Sequence, residues 1–174
     1  METSENQQSI PRLENHGYDL IVGFETGGRV MQHFRVNCNE PDYLGIKEVA
    51  YDKAMEGYDV IILPQISESD SLRNIIFKGA KRNKCPDLLI NGIFVEVKTP
   101  LPGLHERKIS TNIKYGHDQA DHVIIRLTEH FSSGKLYNIA KGRFKTHETL
   151  QVIEFKMSGR FYIFEKWKVL KIRK

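Results

Sequence analysis

Asp87, Glu96 and Lys98 are the residues of this sequence whose types and spacing could do chemistry. An apolar run, an Asn-Gly dipeptide and a second apolar run separate the two acids, which is the pattern of a β-hairpin with a two-residue turn. In that hairpin Asp87 stands directly opposite Glu96, with Cβ atoms roughly 4.5–5.5 Å apart. Because strand side chains alternate, Lys98 emerges on the same face as Glu96.

Two carboxylates placed opposite each other repel. A hairpin with such a pair stays folded if a cation lies between the acids or if one carboxyl is protonated. A divalent metal ion takes oxygen ligands, and an ammonium group beside it can position water or stabilise a developing negative charge. The segment therefore predicts a metal site.

Length and composition predict one domain without a membrane-spanning segment. The chain has 174 residues, of which 40% are hydrophobic, enough for one sizeable core. We expect a polar, poorly ordered arm over residues 1–16 and a single domain over residues 17–174, with its core at about 42–128. There is no long apolar run and no signal-peptide pattern, which favours a cytoplasmic protein. Cys38 and Cys85 form no CxxC pair, which argues against a disulfide framework or a thiolate zinc site.

Basic residues cluster on both sides of the acidic hairpin. The chain carries 26 Lys and Arg against 22 Asp and Glu, a net charge of +4, which is a weak indication of a polyanionic partner. Cations beside the two carboxylates could contact phosphates and hold a nucleic-acid backbone against the metal. The candidates for such contacts are Lys78, Lys81, Arg82, Lys84 and Lys108.

The order of the predicted elements is that of an open α/β sheet, because strand, helix and strand recur through the middle of the chain. We expect an α/β (α+β) fold with a central mixed sheet of about 4–6 strands flanked by helices, a leading β-hairpin and a C-terminal β-hairpin. The predicted strands are 18–24, 30–36, 58–64, 88–90, 93–98, 122–127, 149–157 and 160–167. The predicted helices are 42–56, 108–120 and about 134–140, with a helical turn or short strand at 72–77.

The dipeptide Pro86-Asp87, followed by Glu96-Val97-Lys98, resembles the signature of the PD-(D/E)xK nuclease superfamily. That superfamily places a helix and a strand before the motif and a helix then a strand after it, as predicted here. The resemblance implies a restriction-endonuclease-like fold. It also implies that Asp87, Glu96 and the Val97 carbonyl bind Mg²⁺ or Mn²⁺, and that Lys98 orients or deprotonates the attacking water.

Two further positions match the superfamily, and a third residue is a candidate contact. Glu48, on the predicted helix before the motif, occupies the place where many members carry an additional acidic ligand. Gln119 resembles the glutamine found on the following helix, which could hold the nucleophile or a phosphate. Thr99 could contribute a hydroxyl to the bound nucleic acid.

A longer stretch, roughly residues 27–127, is similar to the tRNase-type toxin domains at the C-termini of contact-dependent growth inhibition proteins. The similarity lies in the succession GGRVMQHF, VAYDKAMEGYDVIILP, PDLLINGIFVEVKTP and QADHVII. It implies metal-dependent cleavage of RNA, with tRNA favoured over DNA, a toxin role and a cognate immunity protein. Related domains also occur as freestanding proteins encoded on mobile elements.

Three other functions stay open from the residues alone. A DNA endonuclease of the restriction or repair kind would use the same site. A metal-independent ribonuclease would use His33, Arg35, Lys145 or His147, and EDTA would leave it active. A nucleic-acid-binding protein without catalysis would contain the acidic hairpin incidentally. Among the aromatic residues, Trp167 between two lysines is the best candidate to stack on an exposed base.

Overall fold

One eight-stranded mixed sheet organises the chain, in a computed structural model that describes residues 17–103 and 105–171. The predicted arm, residues 1–16, lies outside the described residues. The strands are β1 (Tyr18–Gly23), β2 (Arg29–His33), β3 (Asp59–Ile62), β4 (Leu88–Ile90), β5 (Ile93–Lys98), β6 (His122–Leu127), β7 (Val152–Met157) and β8 (Arg160–Glu165). The helices are α1 (Tyr43–Met55), α2 (Arg73–Ile76), α3 (Glu106–His117), α4 (Ser133–Thr146) and α5 (Lys166–Val169). Within the described ranges, no helix is long and apolar enough to cross a membrane.

The strands lie in the sheet in the order in which they occur in the chain. Each adjacent pair joined by a short turn is antiparallel, whereas β2 and β3, β5 and β6, and β6 and β7 are parallel and are joined through helices. The α/β class is confirmed, but the predicted size of about 4–6 strands is wrong. Both terminal hairpins extend the central sheet, since β2 pairs with β3 and β7 pairs with β6.

The central hairpin has the register that its turn predicts. Leu88 pairs with Val95 and Ile90 with Ile93, so only Asn91 and Gly92 form the turn. Asn91 has φ 45° and Gly92 has φ 82°, the left-handed conformations that such a turn requires. This turn also joins the hairpin to β3, because the Asn91 side chain accepts a hydrogen bond of 2.9 Å from the N–H of Asp59.

The two faces of the sheet carry different helices. Val49, Ala50 and Ala54 of α1 pack with Val97 and Ile124 on one face. The apolar side chains of α3 and α4 pack on the other face, against the strand residues of β6 and β7 that alternate with those beneath α1. Because Val97 faces α1, its neighbours Glu96 and Lys98 face the α3 side.

Several predicted elements shift at their ends. The helix expected at about 134–140 is longer, Ser133–Thr146, and its N-terminus is capped by the Ser132 hydroxyl, which accepts from the N–H of Lys135. The segment at 72–77 forms the short helix α2. Its Arg73 guanidinium donates to the carbonyl oxygens of Ile66 and Lys84 at 2.9 and 2.8 Å, which ties the long connection between β3 and β4 together.

Gly116 lets the last turn of α3 lie directly on the strand that carries the candidate site. A Cβ at this position would be 2.6 Å from a methyl carbon of Val123 and 3.6 Å from Cγ of Lys98. Val123 is fully buried and β-branched, so it has no room to move away. The glycine therefore reduces helix propensity but permits a close helix-to-sheet contact.

We predict that Gly116→Ala lowers the free energy of unfolding by about 1–3 kcal/mol, because overpacking outweighs the gain in helix propensity. Gly142→Ala is the matched control, since Gly142 is also helical and a Cβ there meets nothing within 4 Å. That substitution should raise stability by about 0.5–1 kcal/mol. Denaturant unfolding of both variants measures the difference, and equal effects of the same sign would contradict the packing described here.

Candidate metal centre

Asp87 and Glu96 meet at the wall of a cavity of about 470 Å³. Asp87 comes immediately before β4 and Glu96 lies on β5, and both are buried. An Asp87 oxygen accepts a hydrogen bond of 2.9 Å from the N–H of Val97, the residue next to Glu96. This bond holds the first carboxylate against the second strand.

One oxygen of Glu96 is fully buried and accepts no hydrogen bond from any described residue. The other oxygen, Oε1, lies 2.5 Å from Nζ of Lys98. An unsatisfied buried carboxylate oxygen beside a second carboxylate is a position where a cation would be favourable. The residues present therefore fit a metal ion.

The pKa values at the site reflect burial and mutual repulsion. Burial raises the pKa of Asp87 to about 6 despite the opposing hydrogen bond from Val97. Burial and the nearby Asp87 charge raise the pKa of Glu96 to about 8. Burial alone would lower the pKa of Lys98, but the Glu96 and Asp87 carboxylates raise it above its ordinary value. The lysine is therefore an ammonium group at neutral pH.

Four of the predicted residues, Asp87, Glu96, Lys98 and Gln119, line the same cavity. Gln119 arrives from the loop after α3, far from the hairpin in sequence. The sequence analysis missed Asp42, which precedes the first turn of α1 and also lines the cavity. Its charge raises the pKa values of Asp87 and Lys98, so it adds to the negative potential of the site.

The structure does not bring Glu48 to this cavity. Its carboxylate binds Arg126 and Lys156, two strand residues beneath α1. Partial burial raises the pKa of Glu48, but these two cations lower it below its ordinary value. On a helix, Glu48 lies about 200° around the axis from Ile46, which does line the cavity. The described structure thus places Glu48 against two cations rather than in the cavity, whereas Asp42, at the N-cap of α1, is an acid that lines the cavity.

None of the predicted phosphate contacts lines the cavity. Lys78, Arg82 and Lys108 are exposed on the surface, and Lys84 is half-buried. Lys81 binds Asp121 at 2.7 Å. The Thr99 hydroxyl lies against Gly45 of α1, since a Cβ at that glycine would be 2.8 Å from it. The cavity instead holds Arg35, which the sequence assigned only to a metal-independent alternative.

The donor set determines what kind of metal site is possible. Among residues 17–103 and 105–171, no group of three or more His, Cys, Asp or Glu is arranged to hold a metal ion. A site here would thus use two carboxylates, a main-chain carbonyl and water. An extended residue directs its N–H and C=O to the same side, so the Val97 carbonyl faces the Asp87 side, as its N–H does. Such oxygen-only ligation suits Mg²⁺ or Mn²⁺.

The two histidines of the metal-independent alternative lie at the ends of different elements. His33 is buried at the end of β2, where its ring contacts Tyr18 and Phe34. His147 follows α4 and contacts the ring of His117. The described structure therefore offers no shared site for these two histidines.

The chain has little similarity to known proteins. No protein-family model and no curated protein matches the chain. A CdiA-CT/CdiI toxin and immunity complex from Burkholderia pseudomallei is a similar solved structure, with 19% sequence identity and a TM-score of 0.47. The match covers 71% of this chain and 84% of that chain. A similarity of this size supports no inference about activity. Any such inference must come from the residues of the site.

We predict that the metal-free protein loses stability as pH rises toward about 8, and that Glu96→Gln reduces this loss. In the unfolded chain both carboxyls have their ordinary low pKa values. At any pH between those values and the raised folded ones, the folded protein therefore binds more protons than the unfolded chain. Raised folded pKa values therefore contribute stability at low pH that disappears as pH rises through them. Near pH 9 the variant should be more stable than the wild type by about 1–3 kcal/mol.

Glu154→Gln is the matched control, because Glu154 is equally buried but has a lowered pKa. Burial raises that pKa, but the hydrogen bond and charge of His122 and the charge of Lys53 together lower it by more. This variant should lose stability at neutral and alkaline pH. Thermal melts in EDTA across about pH 5–9 measure both effects, and a destabilised Glu96→Gln protein at high pH would contradict the repulsion described here.

Proposed function

We propose that this protein is a metal-dependent endonuclease that hydrolyses phosphodiester bonds. The observation that carries the proposal is the buried pair Asp87 and Glu96, with an unsatisfied Glu96 oxygen and the Lys98 ammonium at the same cavity. Two carboxylates and a lysine in this arrangement match the motif read from the sequence.

Asp87, Glu96 and the Val97 carbonyl would hold Mg²⁺ or Mn²⁺, with Asp42 adding negative charge nearby. A bound ion would supply Lewis-acid stabilisation of charge on the phosphoryl oxygens and would lower the pKa of a bound water. Arg35 lies in the same cavity and can bind a phosphate oxygen through its guanidinium. Gln119 can hold water or a phosphate through its amide.

Lys98 acts as a charged positioning and stabilising group in this proposal. Its raised pKa keeps it protonated, so it donates hydrogen bonds to the attacking water and to the developing negative charge. Its ammonium lies 2.5 Å from Oε1 of Glu96, which holds it beside the two carboxylates.

We favour RNA as the substrate, with tRNA ahead of DNA, because of the sequence resemblance to tRNase-type toxin domains. A toxin role in the cytoplasm and a cognate immunity protein are proposed on the same ground. A DNA endonuclease would use the same carboxylates. Cleavage of total tRNA and of plasmid DNA, each with and without Mg²⁺, separates these two substrates.

We predict that Asp87→Asn and Glu96→Gln each abolish Mn²⁺ binding, because two carboxylates supply all the charged ligands of the site. Glu48→Gln is the control, since its carboxylate binds Arg126 and Lys156 on the other face of the sheet. Its affinity for Mn²⁺ should stay within about twofold of the wild type. Calorimetric titration of folded variants measures this. If only Glu48→Gln lost Mn²⁺ binding, the metal ligands would lie on α1 and not on the hairpin. If the wild type bound no Mn²⁺, the result would favour a nucleic-acid-binding protein without catalysis.

We predict that Lys98→Ala reduces cleavage at least about 100-fold, since it removes the donor that stabilises charge in the transition state. The variant should stay folded, because Lys98 is half-buried at the cavity rather than in an apolar core. Lys145→Ala and His147→Ala are the controls and should cleave normally. Activity that survives EDTA, or that is lost in these controls but kept in Lys98→Ala, would establish the metal-independent alternative.

A further inference from the structure

Phe34 places an exposed aromatic ring next to Arg35, a residue that lines the cavity. It follows β2 directly, and 65% of its surface is accessible to solvent. Most of the ring therefore lies in water and is accessible to a ligand. Its two successors along the chain, Arg35 and Val36, line the cavity that contains Asp87 and Glu96.

The Phe34 ring is held in place from below. It stacks on the ring of the buried His33, with centroids 4.7 Å apart and planes 25° apart. Gly17 lies against the same ring, since a Cβ there would be 2.6 Å from two of its carbons. Gly17 also accepts a hydrogen bond of 3.0 Å from the N–H of Phe34. An exposed ring with this support loses little freedom when a ligand stacks on it.

Arg35 contacts the Phe34 ring and also lines the cavity. The guanidinium of Arg35 lies 5.7 Å from the centroid of the Phe34 ring. The guanidinium also contacts Asp70 at 2.5 Å, in an ion pair whose arginine is exposed and whose aspartate is half-buried, and water weakens such an attraction. Aromatic rings that stack on bases, interleaved with cations that bind the backbone, are how proteins bind single-stranded nucleic acid.

We propose that Phe34 stacks on an unpaired base of the nucleic acid while Arg35 binds an adjacent phosphate, so that the substrate is single-stranded at the cleavage site. This inference rests on the proposed function and names the class of its substrate. The base must be unpaired because a ring cannot reach the face of a base inside a continuous duplex. Trp167, the stacking candidate from the sequence, lies on α5 after the edge strand β8 and does not line the cavity.

Fluorescence of 2-aminopurine in a short single-stranded RNA tests the stacking directly. The Lys98→Ala protein with Mn²⁺ serves as the background, in which we expect the RNA to stay intact. Binding should quench the fluorophore at one position, and Phe34→Ala should relieve the quenching and raise Kd roughly 5- to 100-fold. Phe34→Trp should restore both. Ile163→Ala, an exposed apolar residue on the far edge strand, is the matched control and should change neither.

Cleavage kinetics separate failure of this inference from failure of the proposed function. In otherwise wild-type protein, Phe34→Ala should raise KM for single-stranded RNA and leave kcat nearly unchanged, because the ring lies outside the reacting atoms. A wild type that cleaves while Phe34→Ala leaves KM, Kd and quenching unchanged would overturn the stacking role. If the wild type cleaves nothing but still quenches the fluorophore through Phe34, the proposed nuclease activity is wrong and the proposed base-binding site stands.

Discussion

The repulsion between two buried carboxylates is the constraint around which the site is built. The hairpin turn sets the register, the register brings Asp87 beside Glu96, and the Val97 N–H fixes the first acid in place. Two further charged groups of the cavity act on this pair. Lys98 offsets its charge and Asp42 increases it, while Gly116 lets α3 pack against the sheet without displacing the lysine stem.

Local sequence was sufficient to predict this part of the fold. An Asn-Gly turn has few alternative geometries, so the pairing of Leu88 with Val95 follows from the turn alone. The order of strands and helices was also predictable, because periodicity changes between them. The size of the sheet was not, since the pairing of β2 with β3 joins segments that a 13-residue helix separates.

The rest of the cavity depends on packing that no short pattern encodes. Arg35 and Asp42 come from the chain before the hairpin, and Gln119 comes from the loop after α3. A helix with acids at several positions does not reveal which of them faces a given strand, because its rotation is set by the residues that it buries. In α1 those residues are Val49, Ala50 and Ala54, and they turn Glu48 toward Arg126 and Lys156.

Burial of a charged residue does not by itself mark a functional site in this protein. Glu96 and Glu154 are both 3% exposed, and each has a lysine within 2.6 Å. Glu154 also binds His122 at 2.7 Å, so every oxygen has a partner and the pKa falls. Glu96 has a second carboxylate as its other neighbour, and its pKa rises to about 8. The same side chain at the same depth is thus structural where its charge is balanced and available to a ligand where it is not.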